Sequence, residues 1–221
     1  MGETVLTTTT TKLFNPSREQ SAHVIIEADL AELTRKVEKL RKKCMHITAG
    51  HGYLDSQEKL AGFEPGIINQ IWHTGLFQWI LVEADGAARK PLKAPASHEP
   101  VIPSSSACVG VIIGLDALGK PLDDRWVFRS GLYSQITGLP LGAPVTAESI
   151  ASIILDEQGL MKGSPIRAKR FVFLNKADEE RLVRAGQKIG SLLLKNGGGA
   201  LEKVFIGVLE PEPSFAAWGE E

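Results

Sequence analysis

Few residue types are in excess in this chain, and several are scarce. Only two cysteines occur in 221 residues, Cys44 and Cys108, and they lie far apart. That excludes a disulfide framework and leaves reduced core thiols in a cytoplasmic protein as the expectation. Five histidines are scattered without the spacing of metal ligands. Lysine and arginine number 25 against 26 aspartates and glutamates, a net charge of −1. Such a balance gives no general attraction to nucleic acid or to an anionic membrane, and neither is expected as a partner. No apolar run approaches bilayer length, and the amino terminus lacks signal-peptide character. What remains, 43% hydrophobic and 23% charged residues, is the composition of a globular domain, and residues 1–221 are read as one.

The most informative stretch is QWILVEADGAARKPLKAPASHEPVIP, from Gln78 to Pro103. Its apolar run, Trp79 to Val82, suits a buried parallel strand. Glu83 and Asp85 follow, and if the strand persists its period of two puts both carboxylates on one face. Side by side, they repel unless a cation lies between them, and hard oxygen ligands at a strand's carboxyl end suit Mg²⁺. Open α/β sheets bind their ligands at that edge. The plainer alternative is a pair of solvated acids at a strand-to-loop corner, or a helix cap. Beyond Gly86, four prolines exclude a continuous helix. A stiff loop carrying Arg89, Lys90, Lys93, His98 and Glu99 is expected to lie over an anionic ligand.

Along the rest of the chain, strand and helix patterns alternate. Thr4 to Thr10 reads as a strand of β-branched residues, with Lys12 just beyond it. A strand from His23 to Ala28 leads to Asp29, an N-cap with Glu32 in the capping-box position, and a helix to about Lys43. Cys44 to Ala49 is the next strand. The stretch Lys59 to Pro65 reads as a loop, and residues 67–72 as a short amphipathic helix. Ala107 to Ile113 is a buried strand that runs into GLDALGKP. This octapeptide approaches the phosphate-cradling G-x-x-x-x-G-K-[ST] but ends in Pro121, which has neither a hydroxyl nor an N–H. No clean helical pattern follows until Thr146, the N-cap of a helix to Leu155. Arg170 to Leu174 is a strand, Asp178 to Glu180 open a helix to about Lys195, and Val204 to Leu209 precedes a polar tail. The alternation predicts a mainly parallel sheet with helices on both faces. Three polar clusters then fall at strand ends that would share one edge: the threonines, Glu83 with Asp85, and Asn175 to Asp178.

Asn175-Lys176-Ala177-Asp178 matches N-K-x-D, the element by which GTPases hold guanine. With TVLTTTTTKLF, KLAGFEPGII, the central stretch and GLDALGKPL, it makes the chain resemble the YqeC family along nearly its whole length. Members of that family are described as accessory proteins of selenium-dependent molybdenum hydroxylases. The resemblance implies a P-loop NTPase-like fold using Mg²⁺ with GTP or ATP, and a molybdenum hydroxylase or its cofactor as partner. It also implies a strand and a glycine-rich loop ahead of the threonines. Here those begin a few residues after Met1, so the expectation is a fold without its first strand and P-loop, inactive as an NTPase in this form. Within that reading Asp85 holds Mg²⁺, and Glu83 orients the attacking water or adds a second ligand. Thr8, Thr9 and Lys12 serve the phosphates, while Asn175, Lys176 and Asp178 serve the base. Arg89, Lys93, His98 and Glu99 face phosphates or a partner. A non-catalytic scaffold that binds a metalloenzyme or its cofactor is the alternative.

Overall fold

The structure, a computed structural model, describes residues 3–40, 45–54, 58–197, 199 and 201–219. Its contacts divide the chain into two compact units, residues 1–86 with 101–105, and residues 87–100 with 106–221.

The first unit is built on a fully parallel sheet in the order β3-β4-β1-β7. These strands are β1 (Val5–Thr9), β3 (Val24–Ile26), β4 (His46–Gly50) and β7 (Trp79–Glu83). Parallel neighbours need crossovers, supplied here by α1 (Leu30–Leu40) and α2 (Pro65–His73). The period of two along β1 and β4 sends Leu6, Ile47 and Ala49 into a core with Leu33, Val37, Ile68 and Ile71 of the two helices. Asp29 caps α1 as its sequence suggests, accepting from the Glu32 N–H at 2.9 Å. The return half of the capping box is replaced, because the Glu32 carboxylate takes Arg35 and the Asp29 N–H goes to Glu27.

A second, antiparallel sheet, β2-β6-β5, consists of β2 (Lys12–Phe14), β5 (Gly52–Leu54) and β6 (Lys59–Ala61). The segment read as a loop from Lys59 is therefore a strand in its first part. It is followed by Gly62, where a Cβ would sit 2.6 Å from the Thr9 carbonyl oxygen. Only glycine permits that approach, which lets the Gly62 and Phe63 N–H groups bond the carbonyls of Thr11 and Thr9, both at 2.9 Å.

The second unit carries the sheet β13-β12-β11-β9. Here β9 (Cys108–Gly114), β11 (Lys169–Asn175) and β12 (Lys203–Val208) are parallel, and β13 (Ser214–Trp218) runs antiparallel at the edge. Val111, Ile113, Val172, Leu174, Val204 and Ile206 meet α3 (Ser130–Thr137), α4 (Ala147–Leu155) and α5 (Glu180–Asn196) in one core. Thr146 and Ser149 cap α4 reciprocally at 3.1 Å. A two-residue ladder pairs β8 (Leu92–Lys93) with β10 (Val127–Phe128).

Several expectations are corrected. The strands do not form one ladder but separate sheets. Helices cover one face of each larger sheet, and the opposite faces leave Leu81 and Ile112 exposed, at 54% and 65%. The tail after Leu209 includes β13, and a helix, α3, precedes Thr146. Cys108 is exposed, not a core thiol, while Cys44 lies outside the described residues. The mixed α/β class stands, with parallel sheets and five α-helices among the described residues. Among the described residues no helix is long and apolar enough to cross a membrane.

Candidate functional site

Two polar clusters stand out, one in each unit. In the first unit, β1 and β7 pair in register, Thr9 opposite Glu83. β7 ends at Glu83, so Asp85 lies just past the strand and not on its continuing face as the alternation suggested. The turn is held firmly. The Glu83 carbonyl accepts from the Thr9 hydroxyl at 2.7 Å and from the Thr10 N–H at 3.1 Å. Thr10 also donates its hydroxyl to the Val101 carbonyl at 2.6 Å, and the Val101 N–H returns to Ala84 at 3.0 Å. The Glu83 side chain is half-buried beside Gly86, whose added Cβ would lie 3.5 Å from a carboxyl oxygen. Burial, and then the charge of Asp85, push the Glu83 carboxyl above its ordinary range.

The threonine hydroxyls are engaged within the sheet. Thr8 and Thr9 are fully buried. Thr8 donates to the Ala49 carbonyl at 2.8 Å, and Thr9 to Glu83, so both hydroxyl protons tie β1 to its neighbours. Lys12, on β2, is exposed.

In the second unit the loop from Arg89 to Glu99 divides its residues. Arg89 and His98 are exposed, and Arg89 follows Ala88 in left-handed backbone, at φ 60° and 49°. Lys93, on β8, is only 5% exposed. Its ammonium donates to Glu99 at 2.9 Å, and the guanidinium of Arg129 takes both oxygens of the same carboxylate, at 2.5 and 3.0 Å. The Ala96 N–H adds a further donor at 3.2 Å. Burial alone would raise the Glu99 carboxyl. The bonds from Arg129, Lys93 and Ala96 outweigh it and hold the group well below the usual carboxylate range.

Asn175 ends β11 in the second unit, beside the end of β9, and Lys176 follows it. The Asn175 side chain accepts from the Leu209 N–H at 3.1 Å. Lys176 adopts left-handed backbone, φ 63°, and reaches Asp116 at 2.7 Å. Asp178 is exposed and precedes the N-cap, Glu179, instead of opening the helix itself. Asp116 belongs to a 3₁₀ turn, Leu115–Ala117, directly after β9. Further along, Lys120 lies 5.0 Å from the centre of the Trp126 ring. Hence the three polar clusters do not end a single sheet: the threonines and the carboxylate pair share one ladder, and Asn175 to Asp178 end another.

Sequence reasoning passed over Arg129 and Asp116. The only signal for Asp116 was its place in the GLDALGKP segment after a strand. Arg129 had none, since its partner Glu99 lies thirty positions away.

A family described as "YqeC protein" matches residues 1–131 of this chain. An "Uncharacterized protein YqeC" from Escherichia coli (strain K12) is 30% identical over 218 residues, covering 97% of this chain and 80% of that protein. The chain belongs to the YqeC family. The family match spans the threonine strand, the carboxylate pair, the loop with Lys93 and Glu99, and Arg129. No solved structure matches.

Proposed function

We propose that this YqeC-family protein binds GTP or ATP with Mg²⁺ and acts as an accessory protein in the maturation of a selenium-dependent molybdenum hydroxylase. One observation carries the nucleotide part: a half-buried Glu83, raised by burial and by Asp85, at the carboxyl end of a strand in a parallel sheet. Such edges are where open α/β sheets take ligands, and a divalent cation relieves the cost of ionising a buried carboxyl beside another charge. Glu83 and Asp85 would hold that cation. Among the described residues no third histidine, cysteine or acid joins them, so water and phosphate oxygens would complete the coordination, as is usual for Mg²⁺. The guanine reading rests on the N-K-x-D pattern of Asn175 to Asp178 alone. The accessory role rests on the family resemblance.

A second reading, a non-catalytic scaffold, draws on a specific observation. Thr8, Thr9, Asn175 and Lys176 all make bonds within the fold. Binding of fluorescent GTP and ATP analogues, with and without Mg²⁺, separates the two. Mg²⁺-dependent binding that Asp85→Asn abolishes supports the nucleotide reading; no binding of either analogue leaves the scaffold.

A further inference from the structure

The Glu99 carboxylate is surrounded in a way that invites a question about what else could stand there. Three kinds of donor converge on its two oxygens: the ammonium of Lys93, the fork of Arg129 and the backbone N–H of Ala96. Their floor is the Phe128 ring, with the Lys93 ammonium 5.6 Å and the Arg129 guanidinium 4.4 Å from its centre. The frame is preformed. Lys93 and Phe128 are paired across the β8–β10 ladder, and Arg129 follows at once.

Two features go beyond a loop clasp. Lysine is rarely buried as deeply as Lys93, and the desolvation of a buried ion pair makes apolar packing the cheaper way to pin a loop. Arg129 also holds φ 61°, an unfavourable conformation for a residue with a Cβ, directly before α3. Strain of this kind gathers where a side chain must be aimed. A guanidinium fork, an ammonium and an N–H around one acceptor form the donor set that phosphate groups select. The present acceptor comes from a loop whose preceding residues, Ser97 and His98, are exposed.

We propose that Lys93, Arg129 and the Ala96 N–H form a receptor for a phosphate or phosphoryl group, with the Glu99 carboxylate as its built-in occupant. An arriving phosphate displaces the Glu99 carboxylate and takes over its bonds; His98 and Glu99 shift with the change, while Ala96, whose carbonyl accepts from Lys162 at 2.8 Å, stays in place. Binding at this place and release of the loop are one event. The inference needs neither the cation nor the base of the nucleotide reading.

The test is calorimetric titration of the full chain with inorganic phosphate and with ATP, in EDTA and at ionic strength matched with chloride. Without Mg²⁺, cation-dependent binding at Glu83 and Asp85 makes no contribution. Removing the occupant by Glu99→Ala should tighten binding of phosphate or ATP by about tenfold, the scale of one charge-assisted hydrogen bond. Adding Arg129→Lys, which keeps the charge but loses the fork, should cancel the gain. Whichever ligand binds more tightly identifies a free or a nucleotide-borne phosphate. If Glu99→Ala binds neither ligand better than the unaltered protein, the proposal is overturned. Should that variant fail to fold, the unaltered protein decides. Its melting temperature should rise in phosphate relative to chloride, and the rise should vanish in Arg129→Lys; no rise would equally overturn the proposal.

Discussion

Glu83 and Glu99 are the same residue type in opposite circumstances. Each is withdrawn from water, which by itself disfavours the charged form. Glu83 faces Asp85 and its carboxyl is raised; Glu99 faces Lys93 and Arg129 and its carboxyl is lowered. Burial therefore decides neither case, and the sign of the neighbours does. The difference also separates two kinds of polar site. Glu99 is bonded by Lys93 and Arg129, whereas the Glu83 carboxyl is raised by burial and by a second carboxylate, an arrangement that a bound cation would improve.

The largest effect should come from removing Glu99. Glu99→Ala leaves a buried lysine and a forked arginine without their acceptor, and breaking such a pair costs about 3 kcal/mol. Urea denaturation measures the loss; a change within error would mean that the cluster contributes nothing to holding the fold together. Acid should act in the same direction. The folded-state carboxyl of Glu99 is lowered, so its stabilising share is present above the ordinary glutamate range and lost as pH falls below it. Glu83 has the reverse sign. Its carboxyl is raised, so its share is present at low pH and lost as pH rises through the raised value. Comparing the pH dependence of stability in Glu83→Gln and Glu99→Gln should show curves that depart from the unaltered protein in opposite directions.

The contrast also shows what could be seen in the sequence. Glu83 and Asp85 are two positions apart, so a strand pattern brought them to notice. The Lys93–Arg129 arrangement depends on a ladder of two residues on each side, too short to leave a pattern. β13 was hidden because its five residues, SFAAW, follow a Pro-containing acidic turn and are largely exposed. α3 was hidden by its weak helix formers, Ser130, Gly131 and Thr137. Strands β1, β4, β7, β9, β11 and β12 were legible as β-branched or apolar runs. Their pairing was not, because alternation of strands and helices says nothing about whether two groups of strands join in one ladder. The threonines show the same limit at the scale of side chains: composition announces hydroxyls, but only the register of β1 with β4 and β7 shows where their protons go.

Smaller effects sharpen the comparison. Thr146→Ala removes a reciprocal cap from α4 that bonds neither carboxylate, and should cost about 1 kcal/mol with unchanged pH dependence. Asp178→Asn should leave stability nearly unchanged but weaken GTP relative to ATP in Mg²⁺, by roughly the 1.5–3 kcal/mol of a charge-assisted pair. Equal affinities of the unaltered protein for GTP and ATP would remove the guanine assignment.

The most direct measurement follows the Glu83 carboxyl itself. With carbon-13 carboxyl labelling, nuclear magnetic resonance can titrate Glu83 and Glu99 with and without Mg²⁺. A cation held by Glu83 and Asp85 must lower the Glu83 midpoint, because it favours the ionised form, and must leave Glu99 where its own cations hold it. A Glu83 midpoint unmoved by saturating Mg²⁺ would contradict the cation site, and with it the nucleotide reading built on that carboxylate pair.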